Sequence, residues 1–277
     1  MWNSLPREVD LLADDILAAC PNLGSKLSLL DIGCGTGLAW SSLLRSRLGS
    51  RITSVDVLDS SAPMLEKSKA RATSMNLDLT TYRGYIDSLP AGKLYDIIIT
   101  SSVLHHVPDL QSFLSQVRKH QAPSGIFIHL QDPNADYQDD AELKGRMSLT
   151  AVQREPQNGL TSIPGRAVTK LRRILGIPSL LDYVQRTNDS LLKQGVIQSP
   201  MSAAEIYAIT DIHVHEGGGI SFRALKSWLA NYDSISHRSY GFYGVLSSDL
   251  DPVMQAKERE LSAGRALNGF FLSAVWR

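Results

Sequence analysis

Leu29-Leu30-Asp31-Ile32-Gly33-Cys34-Gly35-Thr36-Gly37 joins an apolar pair and an acid to three glycines at alternate positions. The apolar part describes a buried strand, and the glycines describe a tight turn with little side chain. Glycine carries no Cβ and takes positive φ, so a ligand can lie directly on such a backbone. A helix expected over 38–47 then points its amide N–H groups and positive dipole end at that ligand. The stretch reads as a nucleotide-type binding corner.

Working outward, the strand is expected over 27–32. A helix over 6–20 precedes it, with Val9, Leu12, Ile16 and Cys20 on one apolar stripe. A second strand over 51–58 follows, completing a parallel βαβ unit whose ligand belongs at the carboxyl ends of its strands. The alternation continues with a helix over 61–75, a short strand over 79–82 and the apolar strand Tyr95–Thr100. A helix over 109–120 and a strand over 125–130, interrupted by the polar His129, come next. Alternation from 27 to 130 predicts a doubly wound, mostly parallel α/β sheet.

Residues 133–220 break the pattern. They exceed any connecting loop and are read as a helical cap inserted after the fifth strand, with helices over 167–175 and 180–193. Residues 221–277 then return to the core with a Ser221-capped helix, a strand over 234–240, a charged helix over 252–266 and a closing strand over 270–276. The expected division is a Rossmann-like core over 1–132, the cap over 133–220 and the core's completion over 221–277.

Composition narrows the function classes. Lys+Arg and Asp+Glu number 28 each among 277 residues, so the formal net charge is zero. That argues against a nucleic-acid partner, which usually demands a basic surplus. No apolar run approaches the roughly 20 residues of a membrane span. The two cysteines, Cys20 and Cys34, have neither disulfide-framework nor metal-site spacing. Early acids and the lack of a signal-length apolar run complete the expectation of a cytoplasmic protein.

The motifs choose among nucleotides. A nicotinamide-dinucleotide fingerprint has glycine at its first, third and sixth positions. Here Gly33, Gly35 and Gly37 take the first, third and fifth, and Leu38 takes the sixth. On these residues the chain resembles the class I S-adenosylmethionine-dependent methyltransferases, in the small-molecule branch with the ubiquinone/menaquinone-type enzymes. The resemblance covers about residues 27–132 well and 221–277 loosely. It implies S-adenosylmethionine as cofactor, cradled by Asp31, Gly33, Cys34, Gly35 and Gly37.

The resemblance also implies an acid at the end of the second strand. A carboxylate accepts from both hydroxyls of a ribose, at about 1.5–3 kcal/mol per charge-assisted bond. Two residues compete for the role. Asp56 is preferred, because Ile52-Thr53-Ser54-Val55 leads into it as the family's strand does. The family's Met-Leu pair, here Met64-Leu65, counts back instead to Asp59. In the third region, Tyr85 and Ile86 are candidates to flank the adenine and Asp87 to accept from its amino group. A plain surface turn is the alternative.

Ser101-Ser102-Val103-Leu104-His105-His106 follows a buried strand and resembles the family segment bordering the cofactor's methionine part, with Ser101 as a contact. His105 and His106 are the catalytic candidates, since an imidazole with a pKa of about 6.5 suits proton removal. Packing or capping of the next helix is the competing role. Asp211-Ile212-His213-Val214-His215-Glu216 puts Asp211, His213 and His215 on one face if extended. A catalytic metal usually needs three protein ligands and an orienting outer shell, and nothing else nearby is arranged to supply it, so His213 and His215 are read as substrate-pocket candidates and no metal is expected. The basic stripe Arg166, Lys170 and Arg173 reads as a solvated helix face or, less simply, as a site for an acidic substrate. The chemistry expected is methyl transfer to a small molecule. A cofactor-binding partner subunit without turnover and a nicotinamide dehydrogenase are the alternatives.

Overall fold

A computed structural model describes residues 5–154, 188, 192, 197, 199–202, 219–244 and 250–277. The chain divides into two compact units, Met1–Ala151 with Val214–Arg277, and Val152–His213. Within the second, the Asn188 carboxamide donates to the Met201 carbonyl at 2.9 Å and accepts from its N–H at 2.8 Å. The helices expected over 167–175 and 180–193 lie, apart from Asn188 and Leu192, outside the described residues. So do Asp211, His213, His215 and the basic stripe.

The first unit is built on a seven-stranded sheet in the order β3-β2-β1-β4-β5-β7-β6. Its strands are β1 (Leu27–Ile32), β2 (Ile52–Asp59), β3 (Leu79–Arg83), β4 (Tyr95–Ser101), β5 (Gln121–Pro133), β6 (Ser234–Tyr240) and β7 (Phe271–Trp276). β1 to β5 pair in parallel, and β7 runs antiparallel between β5 and β6. This is the expected doubly wound sheet. The connections leave β1 in one direction for β2 and β3 and return on its other side for β4 and β5. That reversal opens a crevice at the carboxyl ends of β1 and β4.

The helices are α1 (Leu5–Ala19), α2 (Leu38–Arg45), α3 (Ala62–Ser74), α4 (Leu110–His120), α5 (Ala141–Arg154), α6 (Phe222–Trp228) and α7 (Pro252–Ala263). The stripe read on α1 is buried through Val9, Leu12, Ala13 and Ile16, in one cluster with Trp40 and Leu43 of α2. Leu110, Phe113, Leu114 and Val117 of α4 join Leu225 of α6 on the other face of the sheet. Each fully buried Leu or Val on these stripes contributes about 1.5–3 kcal/mol. Capping follows the sequence: Asp109 accepts from Ser112 N–H at 2.9 Å, and Ser221 from Ala224 N–H at 3.1 Å. Most boundaries fall within two residues of those expected. The last helix ends three residues early, at Ala263, and β5 departs most, running from 121 to 133 because it pairs with β4 from Gln121 and with β7 past residue 130. No described helix is long and apolar enough to cross a membrane.

Candidate functional site

The glycine turn sits at the carboxyl end of β1. Gly33, Gly35 and Gly37 take φ values of 68°, 51° and 80°, the left-handed region that L side chains enter at a cost of roughly 1–2 kcal/mol. Two of them answer to packing. A Cβ on Gly33 would lie 2.5 Å from Val103 Cγ2, and one on Gly37 would strike the Trp40 indole and Ser68. Gly35 differs: nothing lies within 4 Å of where its Cβ would be. Its backbone faces open space. The turn is tied down around that space by Gly33 N–H donating to Leu58 O at 2.8 Å and by Arg71 Nε donating to Thr36 O at 2.8 Å.

The two competing acids part company. Asp59 is the last residue of β2, and its carboxylate accepts from Gly35 N–H and from Ser61 N–H, both at 2.8 Å. It therefore stands at the strand ends, beside the open glycine. Asp56, preferred from the sequence, pairs with Leu30 in the body of the sheet. Three residues of strand set it about 10 Å back from the strand end. It is 4% exposed, accepts from the Tyr95 hydroxyl at 2.7 Å and ion-pairs with Lys93. The strand expected over 51–58 is observed as Ile52–Asp59, which puts Asp59 and not Asp56 at its last residue.

Asp31 is fully buried beneath the turn. Its Oδ2 accepts from Trp40 N–H at 3.2 Å, while Oδ1 has no partner among the described residues. Burial pushes its carboxyl up to about 8, against the Trp40 hydrogen bond and with help from the Asp59 charge. Burial likewise drives the Cys34 thiol upward, with the Asp31 and Asp59 charges adding to it. Cys34 is a packed, protonated residue of the turn.

The loop after β3 adjoins Asp59 through Gly84 N–H, which donates to Asp59 O at 3.1 Å. Ile86 turns inward, into the cluster with Leu58 and Leu89. Tyr85 is 75% exposed, and Asp87 is exposed beside it. Tyr85 and Ile86 therefore do not share one face.

Across the crevice, Val103 packs over Gly33 and leads into a single turn of 3-10 helix at Leu104–His106. His105 is 1% exposed. Its Nδ1 lies 2.7 Å from Asp132 Oδ1, which also accepts from the His105 backbone N–H at 3.3 Å. The His106 ring lies against it, centroids 3.8 Å apart. Burial pushes the Asp132 carboxyl up, but the hydrogen bond from His105 and the nearness of the His129 ring outweigh this and hold it below the ordinary carboxylate value. The second oxygen is 3.6 Å from His129 Nδ1, too long for a hydrogen bond. Ser101, at the end of β4, donates to Gln131 Oε1 at 3.0 Å.

Sequence reasoning missed Asp132 and Gln131. The signal available was the polar run at the end of an otherwise apolar strand, begun by the noted His129.

Three comparisons bear on this site. The family described as "Methyltransferase domain" matches residues 3–172, more than half of the chain. Proteins named ubiquinone biosynthesis O-methyltransferase are similar: that of Rickettsia akari is 32% identical over 123 residues, covering 44% of this chain and 47% of its own length. That of Rickettsia canadensis is 35% identical over 104 residues, covering 38% and 42%. The matched stretch thus spans about half the length of these relatives or less. A solved structure, a putative sarcosine dimethylglycine methyltransferase from Galdieria sulphuraria, shares the fold at a TM-score of 0.53 and 14% identity, covering 98% of this chain and 85% of that one. The family match, on a strand-end crevice with its glycine turn and terminal acid, places the chain among the class I S-adenosylmethionine-dependent methyltransferases.

Proposed function

We propose that this chain transfers the methyl group of S-adenosylmethionine to a hydroxyl of a small-molecule acceptor. One observation carries the reading: Gly35, left-handed and facing open space, lies within a hydrogen bond of the strand-end acid Asp59. A bulky ligand with a ribose needs both features together. Two further observations support the fit. The orphaned Asp31 Oδ1 is a buried polar atom awaiting a partner, and each Asp59 oxygen keeps a spare lone pair beyond its backbone bond.

In this reading Gly33, Gly35 and Gly37 supply close backbone approach, with Cys34 packed among them. Asp59 takes the ribose, in place of Asp56. Tyr85 and Asp87 border the adenine, and Ile86 supports them from within. Ser101, His105 and His106 line the reacting end. When bound, the cofactor supplies a methyl group already activated on a positively charged sulfur. The protein's part is to position the acceptor and exclude water, and positioning alone is worth roughly 7–11 kcal/mol. The Asp132 carboxylate at 2.7 Å orients the His105 ring through Nδ1, as a base at the reacting end requires. The relatives named as O-methyltransferases favour a hydroxyl over other acceptors. We assign choice of acceptor to the segment 133–220, within which His213 and His215 remain pocket candidates. Two unpaired, buried cysteines suit a reducing compartment such as the cytoplasm.

Calorimetry with S-adenosylhomocysteine and with NAD tests the cofactor half, and labelled S-adenosylmethionine offered with simple phenols, catechol first, tests the acceptor half. Binding of S-adenosylhomocysteine alone and label in the phenol are expected. NAD binding without affinity for S-adenosylhomocysteine would overturn the assignment. Exchange of segment 133–220 should change acceptor turnover and leave cofactor affinity within about threefold.

A further inference from the structure

The contact between Asp132 and His105 depends on an irregularity in β5. His129 pairs with Ala274 of β7, and Asp132 pairs with Leu272. Leu130 and Gln131 therefore stand opposite the single residue Ser273, which is a β-bulge. Strand alternation puts Ile128 and Leu130 on one face of the sheet, with Val275. Phe127, Leu272, Ala274 and Trp276 lie on the other, where His129 stacks near Trp276. In an unbroken strand Asp132 would follow Leu130 and point away from His105. The extra residue moves it to the His129 face, onto the His105 ring.

Holding that bulge is not free. Gln131 takes φ 61°, and Ser102, at the end of the neighbouring β4, also takes φ 61°. Both are positions where a side chain resists the left-handed region. The two are locked together. Ser102 N–H donates to Leu130 O at 2.8 Å, and Ser101 Oγ donates to Gln131 Oε1 at 3.0 Å. The bulge frees Gln131 N–H from the ladder, and the fully buried Tyr240 hydroxyl of β6, beyond β7, accepts from it at 2.8 Å.

We propose that Tyr240 is a positioning residue: by accepting from Gln131 N–H it holds the β5 bulge that aims Asp132 at His105 and so fixes the imidazole. This deepens the proposed function and rests on it, since it takes His105 to stand at the reacting end. Tyr240 touches no reacting atom in this account and acts through Gln131 and Asp132.

The test is long-range proton–nitrogen correlation of the His105 ring on the full chain, with and without S-adenosylhomocysteine. The wild type should show one tautomer, protonated at Nδ1. Tyr240→Phe, which leaves Gln131 N–H buried without its acceptor, should show a mixture of tautomers. Turnover of catechol should then fall about tenfold in kcat, with KM within threefold. At position 131, Gln131→Gly accepts φ 61° freely and should keep the single tautomer, whereas the β-branched Gln131→Val should lose it. If Tyr240→Phe does not fold, the Gly–Val contrast decides. A single Nδ1 tautomer in both Tyr240→Phe and Gln131→Val overturns the inference, as does an Nε2-protonated ring in the wild type. Failure of the wild type to bind S-adenosylhomocysteine would instead break the proposed function, while the ring can still be read in the unliganded chain.

Discussion

The two sides of the strand-end crevice are made differently. The β1–β2 side is built from backbone and one carboxylate: three left-handed glycines, with Asp59 accepting from Gly35 and Ser61. On the β4–β5 side they are buried side chains held by strained non-glycine residues, His105 on Asp132 with Ser102 and Gln131 left-handed beside them. The first side is shaped by what is absent, a Cβ, and so leaves room. The second is shaped by a bulge and by polar contacts that must all be made. The β1–β2 side should therefore fail by steric exclusion, and the β4–β5 side by loss of orientation.

The glycines separate packing from binding on the first side. Gly37→Ala adds a strained φ of 80° to a clash with Trp40 and Ser68, and should destabilise the fold by about 2–5 kcal/mol. Thermal unfolding reads this directly. Gly35→Ala meets no atom, so it should cost only its strained φ, about 1–2 kcal/mol of stability. Its methyl group enters the ligand's space, however, and affinity for S-adenosylhomocysteine should fall about tenfold or more by calorimetry. Equal loss of stability in both variants would erase the distinction between the packed and the open glycine.

The smallest effect lies away from the crevice. Glu8 of α1 is buried against Arg238 of β6, and burial outweighs that arginine and raises its carboxyl from 4.5 to about 7. The folded chain then binds this proton more tightly than the unfolded one. Stability from this group is full below pH 4.5, falls as pH rises towards 7 and is level above. Glu8→Gln should lose less melting temperature than the wild type between pH 5 and 7.5. Some slope should remain, because Asp31 acts with the same sign up to about pH 8. Parallel curves for the two proteins would contradict the assignment.

The same contrast explains what the sequence disclosed. Glycine spacing, apolar runs and the order of elements are local signals, so the sheet, the turn and the His105-His106 segment were legible. Asp56 was preferred over Asp59 because Ile52-Thr53-Ser54-Val55 leads into it as the family's strand does. Which acid stands at the strand's last residue was not legible, since strand ends are set by pairing with neighbours rather than by local composition. That Ile86 turns inward was not legible, because an apolar residue in a loop carries no sign of which way it faces. The polar run begun by His129 marked Asp132, but its meeting with His105, and the part of Tyr240 in it, were illegible for a stronger reason. Their roles depend on a bulge opposite Ser273, and on a hydroxyl 109 positions away from Gln131. No spacing in the chain encodes that meeting.

The central claim is that the ligand sits on the β1–β2 corner with Asp59 as its acid. Calorimetry of S-adenosylhomocysteine against Asp59→Asn and Asp56→Asn tests it most directly. Asp59→Asn should lower affinity about 10- to 100-fold, the worth of one charge-assisted bond. Asp56→Asn should leave affinity within about threefold and cost about 1–2 kcal/mol of stability, less than a fully buried pair because Lys93 stays partly in water. A large loss of affinity in Asp56→Asn with little in Asp59→Asn would contradict the account.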